Sequence, residues 1–402
     1  MKLINTIRKI GLRRTISILY EYKLDRCIQH IICFFTMKIK LRNIIIIESH
    51  NDFDCNGGAF YDFLLSHKYN ETYIIVWLLK NRYSKELPKN VKKYYLRKPS
   101  LKKDYYIARA KYFTSDNIIT DKLREDQISI YFDHGPFGLK NCKPFFKLSD
   151  SADYYLSSSE NYDPIYCNLM SKPYPNPKMI YLGYPMHDIF YKKTGNEVLK
   201  ITDNTYNKIF LWMPTFRKGG GENRNDSYAS YPFGIPLIEN INSMKEIQSM
   251  LEKNNYLLII KIHPMQDKAT IEKLEKVKCE NVIVLTAESV KRYGVDNYRL
   301  LKAADALISD YSSVAYSYIL LNRPIAFVLT DASELKYGFS VENPEDYIVG
   351  DKINSLEDML RFMDKVGKGV DEFGIQRKEL CNWLYKYQDG NSCARIAEFL
   401  NL

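Results

Sequence analysis

Two histidines of this chain follow apolar runs that have the length of buried strands. His134 comes shortly after the run 128–132, and His263 comes directly after the run 257–262, where Pro264 keeps it extended. Ligands of open α/β sheets bind outside the carboxyl ends of the strands, and imidazole is the side chain best suited to move a proton near neutral pH. Both positions therefore favour proton transfer over a core role, although for His263 alone the two interpretations are balanced.

A possible anion site follows a third apolar run, 306–309. Asp310 and Tyr311 form a turn, after which Ser312 or Ser313 can cap a helix. Backbone N–H groups at such a helix start, together with two hydroxyls, suit a pyrophosphate. Taken alone, the motif favours a helix cap without functional meaning.

Other candidate residues carry a weaker signal. Thr215 and Arg217 follow a further apolar run, and so does His50. Asp52 and Asp54 have the Asp-x-Asp spacing of some divalent-metal sites, but the asparagines around them are typical of a plain turn, so no metal site is predicted. The chain contains neither Gly-x-Gly-x-x-Gly nor Gly-x-x-x-x-Gly-Lys-Ser/Thr, which argues against a dinucleotide site and a P-loop.

The elements that must position these residues alternate along the chain. From residue 44 onward, short apolar runs alternate with amphipathic stretches of helical length, which is typical of parallel sheets with crossover helices. We predict an α/β fold with two doubly wound, Rossmann-like domains that face a cleft. The predicted strands are 44–47, 73–78, 128–132, 179–182, 209–213, 257–262, 282–285, 306–309 and 325–329, and the predicted helices lie near 241–253, 268–277, 296–304 and 313–321.

A polar stretch from 192 to 207 is the predicted linker between the two halves. From the N-terminus, the expected organisation is a basic amphipathic helical segment (1–43), an N-terminal domain (44–195), a C-terminal domain (196–380), and a C-terminal helix that packs back on the N-terminal domain (381–402). A chain of 402 residues is long enough for two domains. Its eight cysteines lack any Cys-x-x-Cys pair, so reduced thiols are expected.

Positive charge is concentrated near the N-terminus. The formal net charge is +10, and residues 1–43 hold ten Lys or Arg against Glu21 and Asp25. Between Leu12 and Phe35 the apolar residues form a rough helical stripe flanked by these basic residues. Such a helix either lies on anionic lipid or packs on the protein with a solvated basic face, and the sequence does not separate the two.

A second basic run spans 85–103, where a solvated loop is the commonest outcome. A membrane-facing surface and a grip on an anionic acceptor are the alternatives. Neither a secretory signal nor a spanning helix is evident, so the expected location is the cytosol.

Taken together, the motifs resemble the CDP-glycerol glycerophosphotransferase family, which makes teichoic acids and also occurs in capsule clusters. The resemblance runs from about residue 44 to the end of the chain. It rests on the stretches Leu307-Ile308-Ser309-Asp310-Tyr311-Ser312-Ser313, Leu320-Leu321-Asn322-Arg323-Pro324-Ile325, Pro214-Thr215-Phe216-Arg217, Ile260-Lys261-Ile262-His263-Pro264, Gly183-Tyr184-Pro185, Asp389-Gly390-Asn391-Ser392 with Arg395-Ile396, and Glu48-Ser49 with Asn56.

This resemblance implies a glycosyltransferase-B-like fold and a transferase that moves a polyol phosphate, most simply glycerol phosphate, from a CDP-polyol to an acceptor hydroxyl and releases CMP. It implies His134 as general base and His263 as a residue that positions the pyrophosphate or shares the proton work. It places the nucleotide donor on the C-terminal domain and the acceptor on the N-terminal domain. The implied substrate-binding residues are Gly135, Thr215, Arg217, Asp310, Ser312 and Ser313.

The same resemblance implies no required cofactor, with a divalent metal left open. The implied acceptor is a lipid-linked teichoic acid or capsule polymer, which would place the protein peripherally on the cytoplasmic face of the membrane, at its anionic inner leaflet. No nucleic-acid motif is present. Two alternatives remain: a capsule glycosyltransferase of the same architecture that uses a CMP-sugar or another nucleotide sugar, and a non-enzymatic basic membrane-binding module.

Two stretches depart from the family pattern. The family usually reads His-Gly-Thr-Pro-Leu-Lys, whereas this chain lacks the Thr and has an extra residue between His134 and Lys140. Where the family has Arg-Asn-Asp, this chain has Met186-His187-Asp188. Both departures lie in the half that is expected to bind the acceptor, so they concern the acceptor and the polyol more than the fold.

Overall fold

The computed structural model describes residues 11, 12, 14, 15, 25–96, 98–117, 120–145, 148, 150–217, 219, 225–277 and 279–402. Most of the predicted N-terminal stripe before residue 25 lies outside these residues. Among the described residues, no helix combines the length and the apolar character needed to cross a bilayer.

Seven parallel strands form the first sheet. They are β1 (Arg42–Glu48), β2 (Ile74–Leu79), β3 (Val91–Tyr95), β4 (Ala110–Ser115), β5 (Ile128–Tyr131), β6 (Tyr154–Leu156) and β7 (Met179–Ile180). Their order across the sheet is β3-β2-β1-β4-β5-β6-β7. The sequence predicted four of them and missed β3, β4 and β6.

Six parallel strands form the second sheet. They are β8 (Lys208–Trp212), β9 (Tyr256–Lys261), β10 (Val282–Leu285), β11 (Ala306–Ser309), β12 (Ile325–Val328) and β13 (Asp351–Ile353). Their order is β10-β9-β8-β11-β12-β13, and only β13 was missed. Two parallel sheets that meet at a cleft confirm the predicted α/β, glycosyltransferase-B-like fold class.

The helices that cover the sheets are mostly short. They are α1 (Asp25–Thr36), α2 (Cys55–Ser66), α3 (Leu101–Arg109), α4 (Asp163–Leu169), α5 (Ile241–Asn254), α6 (Lys268–Glu275), α7 (Ala287–Tyr293), α8 (Asn297–Ala303), α9 (Ser313–Tyr318), α10 (Leu356–Gly367), α11 (Gly374–Leu384) and α12 (Ser392–Phe399). Because helices cover both faces, the central strands read as continuous apolar runs such as 44–47 and 257–260, all of whose residues are buried.

Helix α1 packs on α3 through a polar face. Its buried residues are Asp25, Gln29 and Cys33, and the Gln29 amide donates to Asp104 Oδ1 at 3.0 Å. The apolar residues of its other face are exposed, with Phe34 at 69% and Phe35 at 75%. This helix therefore packs on the protein, as one alternative predicted, while the stripe residues Ile31 and Phe35 stay exposed, and lipid binding stays a prediction.

The basic run 85–103 is only partly a loop. It contains β3 and the start of α3, and Lys103 is buried there. The Lys103 ammonium pairs with Asp25 Oδ2 at 2.8 Å and donates to the carbonyls of Leu96 and Lys98. Lys103 therefore bonds α1 to the segment between β3 and α3, and it does not face solvent.

The last helix returns to the first domain. The backbone N–H groups of Ser392 and Cys393 both donate to the Asp188 carboxylate at 2.9 Å, which caps the start of α12. Asp188 lies in a 3-10 helix, Pro185–Tyr191, that directly follows the first sheet. The chain therefore crosses between the domains twice, once near the predicted linker and once after α11.

Candidate active site

A cavity of about 270 Å³ lies between the carboxyl ends of the two sheets. Six of the eight residues that the resemblance implied as catalytic or substrate-binding line it: His134, Gly135, Thr215, His263, Ser312 and Ser313. The two histidines come from opposite domains, because His134 follows β5 and His263 follows β9. The two strand-end imidazoles therefore share one crevice with the serines at the start of α9.

His134 is placed by a strained turn. The preceding residue, Asp133, has a φ of 60°, a left-handed conformation that few residue types adopt and that is often found at functional sites. The Asp133 carboxylate accepts the backbone N–H of His134 at 2.6 Å and lies 3.4 Å from ring atom Nδ1. The backbone carbonyl of Asp116 favours the protonated form of the ring and so opposes the effect of burial on the His134 pKa.

A second imidazole lies directly against His134. The His50 ring stacks on it with centroids 4.7 Å apart and planes 11° from parallel. His50 also lines the cavity. The sequence named His50 only as a histidine after a strand, and its place beside His134 follows from β1 and β5 being separated by one strand.

Protein atoms around both rings favour their neutral forms. Desolvation lowers the pKa of His50 to about 4, with the neighbouring His134 and Lys80 adding to the effect. Desolvation also lowers the pKa of His134, against the hydrogen bond to Asp116, while 45% of its side-chain surface stays open to the cleft. A neutral His134 is able to accept a proton at physiological pH.

Three carboxyl groups are buried behind the histidines. Desolvation raises the pKa of Glu48, Asp116 and Asp133 to about 7 each. Their partners are mainly neutral donors: Asp116 accepts the N–H groups of His50 and Gly57 and the Ser49 hydroxyl. This wall of the cleft therefore contains several groups that titrate near neutral pH.

The loop after β5 is fixed to the opposite domain. The Lys140 N–H donates to the Tyr311 carbonyl at 3.1 Å, and its ammonium pairs with Asp226 at 2.8 Å. A Cβ built on Gly135 would lie 2.8 Å from Ser313 Oγ, and one on Gly138 would lie 3.1 Å from the Ser313 N–H nitrogen. Glycine at these two positions therefore permits the loop to approach the start of α9.

The wall of the cleft that the C-terminal domain forms, here called the C-terminal wall, contains hydrogen-bonding groups that could face a ligand. Ser312 caps α9, its side chain accepting the N–H of Val314 at 3.4 Å. His263 Nδ1 accepts the N–H of Met265 at 3.1 Å, so the neutral ring carries its proton on Nε2. A hydroxyl-lined helix start beside an imidazole donor suits a phosphate group.

Arg217 and Asp310 lie beneath the cavity and do not line it. The Arg217 side chain is 2% exposed, and its guanidinium binds Asp310 Oδ2 at 2.5 Å and Asp331 at 2.8 and 2.9 Å. The Asp310 carboxylate also accepts the N–H and hydroxyl of Thr215 at 2.9 Å. Arg217 is thus paired with Asp310 and Asp331 inside the domain, where Asp310 and Arg217 hold Thr215, and direct contact of Arg217 and Asp310 with the donor stays a prediction.

The Asp-x-Asp pair has structural partners. Asp52 accepts the N–H groups of Lys80 and Asn81, and Asp54 caps α2. Within the described ranges, no group of three or more His, Cys, Asp or Glu residues could hold a metal ion.

The family model described as CDP-glycerol:poly(glycerophosphate) glycerophosphotransferase matches residues 31–402. The chain is 27% identical over 319 residues to a teichoic acid poly(glycerol phosphate) polymerase of Bacillus spizizenii, which covers 72% of this chain and 74% of that protein. It is 25% identical over 309 residues to a teichoic acid glycerol-phosphate primase of Bacillus subtilis, covering 72% and 71%.

Among solved structures, the wall teichoic acid polymerase TagF has the same fold. The TM-score is 0.71 at 18% identity, over 99% of this chain and 97% of that chain.

Proposed function

The chain belongs to the CDP-glycerol:poly(glycerophosphate) glycerophosphotransferase family, as its motifs predicted, and we propose that it transfers glycerol phosphate from CDP-glycerol to a hydroxyl of a teichoic acid or capsule polymer and releases CMP. Family membership makes it an enzyme of this type and removes the non-enzymatic module as an alternative. One observation supports the proposal most strongly: His134 and His263 line one cavity with Ser312 and Ser313.

The donor would bind to the C-terminal wall. Its pyrophosphate would accept hydrogen bonds from Ser312, Ser313 and the backbone at the start of α9, with His263 Nε2–H as a further donor. Arg217 would act through Thr215, which it holds at the cavity edge. These groups would stabilise the negative charge of the phosphates by hydrogen bonds and hold the donor in position, and both are main requirements of phosphoryl transfer.

The acceptor would approach from the N-terminal wall. Its hydroxyl would give a proton to the neutral imidazole of His134, and its oxygen would attack the phosphorus on the glycerol side of the donor. The bond from that phosphorus to the bridging oxygen would break, and CMP would leave with the bridging oxygen. The product is a phosphodiester, and the proton held by His134 passes to solvent or to the departing CMP.

Turnover with defined donors tests the proposal. The purified protein would be incubated with CDP-glycerol, CDP-ribitol or a CMP-sugar and a polyol-phosphate acceptor, and CMP and new phosphodiester would be measured by chromatography and ³¹P NMR. We expect CDP-glycerol to give both products. Transfer of a sugar without phosphate would contradict the proposal and favour the glycosyltransferase alternative.

A membrane-bound acceptor requires attachment at the membrane surface, and α1 provides a surface that suits it. Exposed Ile31, Phe34, Phe35, Met37 and Ile39 lie on α1 and just after it. Between β3 and α3, the helix that α1 packs against, a cleft of about 510 Å³ is lined by Lys92, Tyr94, Leu101, Lys102, Tyr105 and Tyr106. Exposed apolar side chains beside lysines and tyrosines are typical of interfacial binding to anionic lipid.

Vesicle binding tests this attachment. The double variant Phe34→Ser/Phe35→Ser should bind vesicles of phosphatidylglycerol and phosphatidylcholine about tenfold more weakly than the parent protein, because two rings no longer enter the lipid. Ile375→Ser is the matched control, since Ile375 is as exposed as Phe35 but lies on α11. Equal cosedimentation of all three proteins would refute attachment through α1.

A further inference from the structure

The imidazole stacked on His134 has no role in the chemistry above. The His50 ring lies parallel to the His134 ring at 4.7 Å, in the same cavity. Its backbone N–H is held by the Asp116 carboxylate, and its side chain bonds to Asn117. Both anchors follow β4, the strand that lies between β1 and β5 in the sheet, so His50 is fixed independently of the loop that carries His134.

Each ring is therefore oriented from the same short segment. Asp116 acts on both residues: its carboxylate accepts the backbone N–H of His50, and its backbone carbonyl favours the protonated form of the His134 ring. The His50 ring then covers one face of the His134 imidazole, and the cavity opens elsewhere. A parallel ring at this distance excludes water from that face.

We propose that His50 is a positioning residue for the base: its ring holds the His134 imidazole in plane and shields it from water, so that His134 stays neutral while the acceptor hydroxyl is bound. This inference rests on the proposed function, in which His134 accepts the hydroxyl proton. His50 itself does not touch the reacting atoms, and its own ring is neutral at the working pH because burial lowers its pKa to about 4.

Other charged groups surround the pair and must be considered in any pH effect. They come from every strand end that faces the two rings and from the opposite domain, and they are Glu48, Asp54, Lys80, Asp116, Asp133, Lys140 and His263. Lys80 opposes protonation of both rings, and its ammonium lies 3.2 Å from the His50 carbonyl. Replacing only the His50 side chain leaves all of these groups in place.

Two substitutions distinguish the effect of the His50 ring from the effect of its titratable nitrogens. His50→Phe keeps a flat ring against His134 and removes the titratable nitrogens, whereas His50→Ala removes the ring and admits water. Since desolvation is the main cause of the lowered pKa of His134, that pKa should rise in His50→Ala toward its ordinary value. The pKa should stay low in His50→Phe.

The readouts are the His134 pKa and the pH profile of turnover. The pKa would be followed by NMR of ring-labelled histidine, with His134→Asn to assign the signal and His67→Phe, an exposed histidine outside the cavity, as control. We expect the acid limb of kcat/KM to move to higher pH in His50→Ala, with kcat lowered on the order of tenfold. In His50→Phe the acid limb should stay where it is in the parent protein.

Two results would overturn the inference: a His134 signal and acid limb in His50→Ala that match the parent protein, or the same change in His50→Phe as in His50→Ala. The NMR titration needs no turnover. If the parent protein made no CMP from CDP-glycerol, the proposed function would be refuted. The NMR titration would still test whether the His50 ring keeps the pKa of His134 low.

Discussion

The two walls of the cleft handle buried negative charge in opposite ways. On the C-terminal wall, Asp310 and Asp331 share the guanidinium of Arg217, and burial is compensated by opposite charge. On the N-terminal wall, buried carboxyl groups such as Glu48 and Asp116 have mainly neutral donors, and burial raises their pKa to about 7. The difference shows that the C-terminal side holds its buried carboxylates as ion pairs of fixed charge, whereas the N-terminal side contains groups that can exchange protons near neutral pH.

Removing the cation of the C-terminal wall should have the largest effect on stability. Arg217→Met leaves two buried carboxylates without their partner, which typically costs about 3–5 kcal/mol. Urea denaturation would measure the loss in free energy of unfolding. Arg361→Met is the control, since the exposed Arg361 pairs with Glu357 on the surface and should cost about 1 kcal/mol at most. If Arg217→Met lost no more unfolding free energy than Arg361→Met, the two buried carboxylates would not need the charge of Arg217.

Removing either imidazole tests whether both walls take part in turnover. His134→Asn and His263→Asn should each lower CMP release by about a hundredfold or more, the usual contribution of an acid or base. His67→Asn should keep the parent rate, because His67 is an exposed residue at the end of α2. A near-normal rate in His134→Asn would remove the N-terminal wall from the proton transfer.

Adding a methyl group where the loop after β5 meets the start of α9 should have a smaller effect on stability. In Gly135→Ala the new methyl meets Ser313 Oγ, and overpacking of this kind costs about 1–3 kcal/mol. The melting temperature should fall, and turnover should fall with it because His134 is the preceding residue. Gly195→Ala is the control, since a Cβ there meets no atom within 4 Å. An unchanged melting temperature in Gly135→Ala would show that the loop moves aside freely.

The smallest expected effect is on the pH dependence of stability. Glu48 is buried, and desolvation raises its pKa to about 7 from a model-compound value of 4.5. Between these values the folded protein holds a proton that the unfolded chain has lost, so this group destabilises the fold progressively as the pH rises through the window. Glu48→Gln should reduce the fall in unfolding free energy between pH 5 and pH 6 by about 1 kcal/mol. An unchanged slope would contradict the raised pKa.

The sequence predicted the strands whose ends carry the site because those strands are continuous apolar runs. It missed β4, whose residues Ala110–Ser115 follow α3 without a turn, and it therefore missed Asp116 as a partner of both cavity histidines. It missed β3 because an edge strand with two lysines reads as a basic loop. Neither error comes from an unusual fold, since both come from local patterns that tertiary contacts override.

The contact partners of side chains were predicted less well than the positions of strands. Arg217 was expected at the donor, but only the three-dimensional structure shows the carboxylate of Asp331, 114 residues away, that binds it. The stacked pair of His50 and His134 was likewise unpredictable, because 84 positions separate the two rings and only the strand order brings them together. Motifs identify residues at strand ends, whereas pairing across a sheet depends on topology.

The contact between the loop after β5 and the second domain has a consequence for protein engineering. Leu139 and Lys140 form backbone hydrogen bonds with Ser340 and Tyr311, and the Gly138 carbonyl accepts the Ser340 hydroxyl. A chimera that exchanges only the N-terminal half with a relative would set this loop against foreign partners. Recombinants designed to change acceptor preference should therefore carry the segment 338–340 together with the donated half, even though about two hundred positions separate the two in the chain.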